Sequence, residues 1–147
     1  MAKTLKMNFA DRMGDALFVA LLRVGFKIGS MSLLTVRGRK SGLPRTTPVT
    51  MVERQGKSYL FAPYGAVDWV RNLRAAGGGT LQHGRYTKSF TMVELTPQEA
   101  APIMQEDFAT VPAAVRQFFD VTPSSSLEDF EHEAERHPVF QVTIVSE

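Results

Sequence analysis

The segment of the sequence best suited to hold a ligand is a basic turn between residues 37 and 45. Glycines within this turn expose backbone N–H groups and permit positive φ, and neighbouring hydroxyls add further donors. Cationic side chains and converging N–H donors suit phosphate or carboxylate oxygens, so the segment predicts an anion site. A solvated basic hairpin explains the same composition equally well. The four cations are Arg37, Arg39, Lys40 and Arg45, and the hydroxyl donors are those of Ser41, Thr46 and Thr47.

The start of a short helix, predicted at residues 67–76, carries a second group of candidate site residues. Asp68 stands at the expected cap beside Trp69, the only tryptophan, and Arg71 and Asn72 follow within one turn. The N–H groups at the start of a helix lack partners and attract anions. For Trp69 alone we favour core packing. The cluster as a whole favours a site over a capping role for Asp68 alone.

Side chains that commonly catalyse reactions are sparse. The sequence contains no cysteine, which excludes thiolate nucleophiles, disulfides and Cys-ligated metals. His83, His132 and His137 lack the spacing of a metal site, and no Gly-x-Ser-x-Gly motif is present. We expect His132 and His137 at the surface or as caps, and the acids of residues 128–135 on a solvated face. An anion site with few acid–base side chains near it suggests that a bound organic cofactor carries the chemistry. We expect no metal.

Charge is distributed unevenly along the chain. Residues 1–93 carry 15 Lys and Arg against 4 Asp and Glu, whereas residues 94–147 carry 2 against 11. A basic half indicates an anionic partner, although the two halves can also attract each other within one fold. The basic stretch is short and has few aromatic neighbours, so we do not expect nucleic acid as that partner.

The residues before the basic turn predict an amphipathic helix at about 9–29. Its apolar residues recur at spacings of three and four. We expect this face to pack on the rest of the domain, and peripheral contact with the inner face of a membrane is the alternative. The apolar run at 16–22 is too short to span a bilayer, so we expect a cytoplasmic protein. The apolar face consists of Phe9, Met13, Leu17, Leu21, Val24 and Ile28.

Strands and turns dominate the middle of the chain, where turns containing glycine or proline separate the predicted strands. Pro48 inside the second strand predicts an edge or a bulge there, because proline has no N–H to donate. The helix at 67–76 is expected to stop at the triple glycine 77–79. The strands are predicted at residues 32–37, 45–53, 58–62, 80–83, 86–95 and 139–145.

Helices are predicted between the last two strands. A capping-box start at Thr96–Glu99 opens the first of them. Pro102 is expected to bend or reset that helix, and Pro112 to begin a second piece. Ser125 and Glu128 are expected to cap the last helix.

The order and spacing of these elements indicate the architecture. Consecutive strands lie too close in sequence for parallel crossover connections, so the sheet is expected to be antiparallel. We predict one domain, residues 1–147, that is mainly β and forms a small barrel with flanking helices.

Two sequence blocks resemble the signature of the deazaflavin-dependent nitroreductase family of actinobacteria. The resemblance covers roughly residues 9–95. It implies an antiparallel split β-barrel related to the FMN-binding oxidases, with coenzyme F420 as cofactor, and it leaves monomer and homodimer open. The first block is Leu33–Gly42 with Pro44–Pro48, the second is Trp69 with Asn72–Ala75, and the ending His137–Phe140 also fits.

The resemblance also assigns roles to residues of this chain. Pro63 and Tyr64 stand where the better-known nitroreductase has a Ser-Lys pair, so nitroimidazole activation is not expected to carry over. The residues that would hold the phosphate and polyglutamate tail are Arg39, Lys40, Ser41 and Arg45. The residues that would line the deazaflavin ring are Ala62, Pro63 and Tyr64. Those that would close the site are Asp68, Trp69, Val70, Arg71 and Asn72.

The implied function is hydride transfer from reduced coenzyme F420 to an electron-poor small molecule such as a quinone, an activated alkene or a nitro compound. A proton would come from water or from Tyr64, the one candidate catalytic side chain. Two alternatives stay open. One is an FMN-dependent oxidase on the same barrel, and the other is a non-catalytic carrier of a hydrophobic ligand or cofactor.

Overall fold

The computed structural model describes residues 31–110 and 116–145. The helix expected at about 9–29 and the start of the piece expected at Pro112 lie outside these residues, so both stay predictions. Within the described ranges, no helix is long and apolar enough to cross a bilayer.

Six strands and three helices make up the described part of the chain. The strands are β1 (Met31–Arg37), β2 (Pro44–Arg54), β3 (Lys57–Phe61), β4 (Gly78–His83), β5 (Tyr86–Glu94) and β6 (Val139–Ile144). The helices are α1 (Asp68–Ala76), α2 (Pro97–Asp107) and α3 (Leu127–Ala134), and a 3₁₀ turn, Phe108–Thr110, follows α2. For the described residues these bounds confirm the expected order of elements, with their ends shifted by one or two residues.

The strands close into an antiparallel barrel in the order β1-β2-β3-β6-β5-β4, with β4 paired to β1. Short turns make the local hairpins. In the β2–β3 turn Gln55 has φ 51° and Gly56 has φ 76°, the left-handed pair that a two-residue hairpin favours. The predicted antiparallel barrel with flanking helices is confirmed.

Pro48 lies where one side of β2 has no strand partner among the described residues. The first half of β2 pairs with β1 in an unbroken register along the whole of β1. The second half, Thr50–Arg54, pairs with β3. A residue without an N–H is tolerated in a strand that is open on one side. The expected edge at Pro48 is therefore confirmed, and the register contains no bulge.

Two apolar cores hold the helices to the barrel. Strand β6 serves both cores, because successive side chains of a strand point to opposite faces. The helix α1 contributes Val70 and Leu73 to the first core, so it packs against the barrel interior. The first core includes Leu34, Val36, Leu60, Leu81, Phe90 and Phe140. The second, which holds α2 and α3, includes Tyr59, Ala101, Met104, Phe108, Phe130 and Val139.

The triple glycine ends α1 as expected but also starts the next strand. Gly77 has φ 78°, the left-handed conformation that commonly terminates a helix. Gly78 and Gly79 already belong to β4, where neighbouring backbones approach closely. A Cβ on Gly78 would collide with the carbonyl oxygen of Phe90, and one on Gly79 with that of Thr35. Both positions therefore require glycine for space.

Replacing Gly79 with alanine is expected to destabilise the protein by about 1–3 kcal/mol, the usual cost of an extra methyl in a packed interior. The carbonyl of Thr35 cannot withdraw without disturbing the β1–β4 pairing that closes the barrel. Urea unfolding of Gly79→Ala, with Thr87→Ala at an exposed β5 position as the control, measures the effect. Equal unfolding midpoints for the two variants would contradict this explanation.

The predicted start of α2 is confirmed. The hydroxyl of Thr96 accepts a hydrogen bond from the Glu99 N–H at 3.2 Å, and the Glu99 carboxylate accepts one from the Thr96 N–H at 2.8 Å. The expected reset at Pro102 is wrong, since α2 continues through it to Asp107. Pro102 is exposed, so a backbone carbonyl that loses its helical partner there can bind water.

The cap of α3 lies one residue later than predicted. Ser126 accepts from the N–H of Asp129 at 3.1 Å and forms a capping box with it. The hydroxyl of Ser125 instead accepts from the N–H of Thr122 at 2.9 Å. The predicted pairing of Ser125 with Glu128 is therefore wrong, because a local turn already uses the Ser125 hydroxyl.

Candidate functional site

A cavity of about 810 Å³ opens where the β1–β2 turn meets the start of α1. The turn follows β1 directly, and the open edge of β2 beside Pro48 extends the cavity wall. Pockets for small molecules and cofactors commonly fall in this size range. The cavity is lined by Gly38–Ser41, Arg45–Pro48, Tyr64, Val67–Trp69 and Asn72.

Eight of the twelve residues expected at the site line this cavity, and four do not. Ala62 and Val70 are buried in the barrel core, where they support the wall from behind. Pro63 is half-buried and Arg71 is exposed, and neither lines the cavity. The eight lining residues are Arg39, Lys40, Ser41, Arg45, Tyr64, Asp68, Trp69 and Asn72.

Sequence reasoning did not place Val67 or Pro48 in the site. Val67 is the N-cap residue of α1, and Pro48 lies in the open half of β2. The proline was a usable signal, because it marked the place where β2 has no second strand partner in the part of the chain that the structure describes and can face a ligand. Nothing about Val67 distinguishes it in the sequence.

The β1–β2 turn is held in shape by its own backbone. The Gly38 N–H donates to the Leu43 carbonyl at 2.8 Å, and the Gly42 N–H donates to the Gly38 carbonyl at 2.9 Å. Gly42 has φ 74°, which disfavours most other residues. The hydroxyl of Ser41 accepts from the Leu43 N–H at 3.2 Å. The turn is therefore preorganised before any ligand arrives.

Arg39 connects this turn to α1. Its backbone N–H donates to Asn72 Oδ1 at 3.1 Å, and its Nη1 donates to the same oxygen at 2.7 Å. Its Nη2 lies 3.4 Å from Asp68 Oδ1. Asn72 is 6% exposed, whereas the Asp68 side chain is 87% exposed. The shorter and more buried contact, with Asn72, dominates the link.

Lys40 and Arg45 leave their charges available to a ligand. Both are exposed and line the cavity, and neither makes an ion pair or a side-chain hydrogen bond with any residue in the described ranges. The remaining cation of the turn, Arg37, is exposed and does not line the cavity. Unpaired cations facing a concave surface attract anionic ligands.

Two aromatic rings form another part of the lining. Tyr64 packs edge-on against Phe118 with ring centroids 4.9 Å apart. Trp69 packs against Phe140 of the barrel core at 6.1 Å, so its expected core role is confirmed and it lines the cavity as well. The cavity thus combines cations with aromatic surface, which suits a ligand that has anionic groups and a flat ring system.

Asp68 does not cap α1, contrary to expectation. The cap residue is Val67, which makes no side-chain cap hydrogen bond, and Asp68 occupies the first turn. A negatively charged side chain in the first turn interacts favourably with the positive end of the helix dipole and does not need a capping hydrogen bond to do so. Asp68 faces the cavity and Arg39 instead.

His137 and Glu133 were both misplaced by sequence reasoning. They are 2% and 1% exposed, and His137 Nε2 lies 2.9 Å from Glu133 Oε1. The ring of Phe119 stacks on His137 at 3.9 Å. The spacing of four between the acid and the histidine was a signal for pairing, although α3 ends at Ala134 and His137 lies in the turn beyond it. The predicted surface position is confirmed for His132 but wrong for His137 and for Glu133.

Opposing influences act on the buried Glu133 carboxylate. Burial raises its pKa, but hydrogen bonds from His137, from the Asp120 N–H and from Arg136 lower it, and the net result is a lowered pKa. The Asp120 N–H lies 3.1 Å from Oε1, and Arg136 Nη2 lies 2.8 Å from Oε2. Because Phe118 contacts Tyr64, this network anchors a segment that borders the cavity.

Comparison with known protein families gives a match over most of the chain. A family model described as F420H(2)-dependent quinone reductase matches residues 19–120. A search among curated proteins found no match.

Several solved structures share the split-barrel fold at low sequence identity. One, described as an F420-H2 dependent reductase (FDR-A), is 24% identical with a TM-score of 0.54 and covers 80% of this chain and 98% of its own. Another, described as a domain-swapped dimer, is 21% identical with a TM-score of 0.56 and covers 92% and 100%. A pyridoxamine 5′-phosphate oxidase-related, FMN-binding protein from Nostoc punctiforme is 14% identical with a TM-score of 0.54 and covers 95% and 84%. These likenesses establish the fold.

Proposed function

We propose a substrate for this chain, which belongs to the F420H(2)-dependent quinone reductase family. The proposed substrate is a quinone or a similarly electron-poor small molecule. Membership makes the chain a reductase that uses coenzyme F420. The choice among a quinone, an activated alkene and a nitro compound is part of the proposal. So is the assignment of this cavity as the cofactor site.

The observation that carries the assignment is the cavity's combination of unpaired cations and aromatic surface. A deazaflavin cofactor with a phosphate and a polyglutamate tail needs both. Lys40 and Arg45, with Ser41 beside them, would hold the anionic groups, because these cations have no partner among the described residues. Tyr64 and Trp69 would border the flat ring.

The residues of this chain would contribute binding, orientation and a proton. The bound reduced deazaflavin supplies the hydride. The β1–β2 turn is preorganised by its own hydrogen bonds and would hold the anionic groups of the cofactor. Binding would therefore cost little conformational entropy of the turn. Trp69 and Tyr64 exclude water from part of the cavity. The Tyr64 hydroxyl is the candidate source of the proton that completes reduction, with water as the alternative source.

Titration with oxidised coenzyme F420 tests the cofactor site directly. We expect a saturable change in cofactor fluorescence with a dissociation constant in the micromolar range or below. Turnover is then followed as loss of the reduced cofactor with menadione as the probe quinone. Absence of saturable binding would overturn the cofactor assignment. Binding without turnover of menadione, and turnover of a nitro or alkene probe instead, would overturn the quinone assignment alone.

Two further observations, combined with that titration, separate the two alternatives. Purified protein that retains yellow FMN and ignores coenzyme F420 would indicate an FMN-dependent oxidase on this barrel. Bound lipid in native mass spectrometry, without cofactor affinity, would indicate a carrier. A homodimer is also part of the proposal and is supported by the neighbour described as a domain-swapped dimer. Cytoplasmic location and membrane contact through residues 9–29 stay predictions.

A further inference from the structure

Arg39 differs from the other cations of the cavity because its guanidinium is already engaged. The distance from Arg39 Nη1 to Asn72 Oδ1 is 2.7 Å, and Asp68 lies 3.4 Å from Nη2. Lys40 and Arg45 make no comparable contact within the described residues. An anion that recruited Arg39 would have to compete with groups of the protein itself. The charge of Arg39 is therefore less available to an anionic ligand than the charges of Lys40 and Arg45.

The Asn72 side chain has two features of a structural clamp. It is 6% exposed, and its Oδ1 accepts from both the backbone N–H and the guanidinium of the same residue, Arg39. The backbone bond ties the turn to α1, and the guanidinium bond holds the same amide oxygen in the position that this backbone bond requires. A buried amide that holds a turn in this way cannot be replaced by an apolar side chain without leaving an N–H unpaired.

We propose that Asn72 and Arg39 are positioning residues that lock the β1–β2 turn onto α1, and that Arg39 is not a direct ligand of the cofactor's anionic groups. Lys40 and Arg45 are the direct ligands. The effect of this inference on cofactor binding rests on the proposed function. The lock, meaning the attachment of the β1–β2 turn to α1 through Arg39 and Asn72, is a property of the cofactor-free protein and is measured in it.

The geometry supports this division of roles. The turn carries Lys40 and Ser41 between its two internal hydrogen bonds, so its orientation decides where these donors point. Its attachment to the body of the protein at Arg39 passes through Asn72 on α1. Arg45 is placed independently, on β2 opposite Val36 of β1. Loosening the Asn72 contact would therefore misplace Lys40 and Ser41 while leaving Arg45 in position.

The first measurement is amide hydrogen exchange in the cofactor-free protein. Asn72→Leu keeps the side-chain size and removes the acceptor, whereas Asn72→Asp keeps an oxygen acceptor. We expect exchange of the Arg39 amide to become about 10-fold faster in Asn72→Leu, the effect of losing one buried hydrogen bond, and to change little in Asn72→Asp. Unchanged exchange in Asn72→Leu, or equal acceleration in both variants, would overturn the lock.

The second measurement is the salt dependence of affinity for oxidised coenzyme F420. Loss of a direct ion contact flattens the dependence of affinity on salt more than loss of a nearby cation that does not touch the anion. We expect Lys40→Ala to flatten the dependence clearly more than Arg39→Ala, which should weaken binding about 3-fold to 10-fold. Flattening in Arg39→Ala equal to that in Lys40→Ala would make Arg39 a direct ligand and overturn the proposal.

A double-mutant cycle gives an independent check, since residues that act as a unit are not additive. The affinity of the Arg39→Ala/Asn72→Leu double variant for oxidised coenzyme F420 should be no lower than that of whichever single variant binds less tightly. Additive losses of binding free energy in the double variant would overturn the proposal. Should Asn72→Leu fail to fold, Arg39→Ala with the salt series still decides between the two roles. Absence of binding in the unaltered protein would refute the cofactor assignment, and the exchange measurement would still decide on the lock.

Discussion

Neutralising Lys40 and Arg45 together, as Lys40→Gln/Arg45→Gln, is expected to weaken binding of oxidised coenzyme F420 by about 100-fold. Charge-assisted hydrogen bonds contribute about 1.5–3 kcal/mol each, and exposure of both side chains reduces that value. About 100-fold corresponds to about 2.7 kcal/mol for the pair. The loss should shrink as salt is added, because screening already weakens the unaltered site. Fluorescence titration over a salt series measures both effects.

The matched control removes the same charge elsewhere. Lys57→Gln/Arg85→Gln lowers net charge by the same amount at exposed hairpin positions that do not line the cavity. This control should keep its affinity within about 2-fold, since long-range attraction between exposed charges is largely screened at physiological salt. Equal losses in the two double variants would show that affinity follows overall charge. In that case the cavity would not be the anion site.

Replacing Glu133 with alanine is expected to give the largest loss of stability, about 3 kcal/mol. The carboxylate accepts hydrogen bonds from His137, the Asp120 N–H and Arg136. Removing it leaves buried donors unpaired and a cavity beside the stacked Phe119 ring. Thermal or urea unfolding measures the loss, with Glu128→Ala, an exposed position on the same helix, expected to stay within about 0.5 kcal/mol of the unaltered protein. A similar loss in both variants would contradict a specific role for the network.

Part of the Glu133 contribution should disappear in acid. The pKa of this carboxyl is lowered from its ordinary value of 4.5, so the folded protein favours the charged form more than the unfolded chain does. The stabilisation is therefore complete above about pH 4.5 and is lost as pH falls through the lower folded pKa. The charged or titratable groups around it are His137, Arg136 and Asp120, the last in contact with Arg136 at 3.4 Å.

Glu133→Gln isolates this contribution, because an amide of nearly the same shape does not titrate. The difference in unfolding free energy between the unaltered protein and Glu133→Gln should narrow as the pH falls below about 4.5. Other carboxylates affect both proteins equally and cancel in the difference. A difference in unfolding free energy that widens as the pH falls would contradict a lowered pKa of Glu133 in the folded protein.

Features set by neighbouring residues were predicted well from the sequence. The β2–β3 hairpin, the end of α1 at Gly77 and the capping box of Thr96 depend on contacts within a few residues. The cationic composition of the β1–β2 turn is likewise a local property, and it identified the wall of the cavity. The antiparallel sense of the sheet followed from hairpin spacing, because antiparallel neighbours need only short connections.

Features that depend on distant contacts were missed or misassigned. The collisions that require glycine at positions 78 and 79 come from Phe90 and Thr35, on other strands. The buried position of Glu133 involves Phe119, which stacks on His137, and Asp120, which donates its N–H to Glu133, whereas sequence charge suggested a solvated face. In both cases the decisive partner lies more than ten residues away, where periodicity carries no information.

The sequence by itself indicated a glycine-containing basic turn and a helix start as candidate anion sites, since glycine conformations, cation spacing and free N–H groups are local. Only the tertiary structure decided how the cations are used. Asn72 lies 33 residues from Arg39 in sequence and engages its guanidinium, while Lys40 and Arg45 have no partner among the described residues. The physical reason is that the availability of a charge depends on what folding places beside it, which the charge itself does not specify.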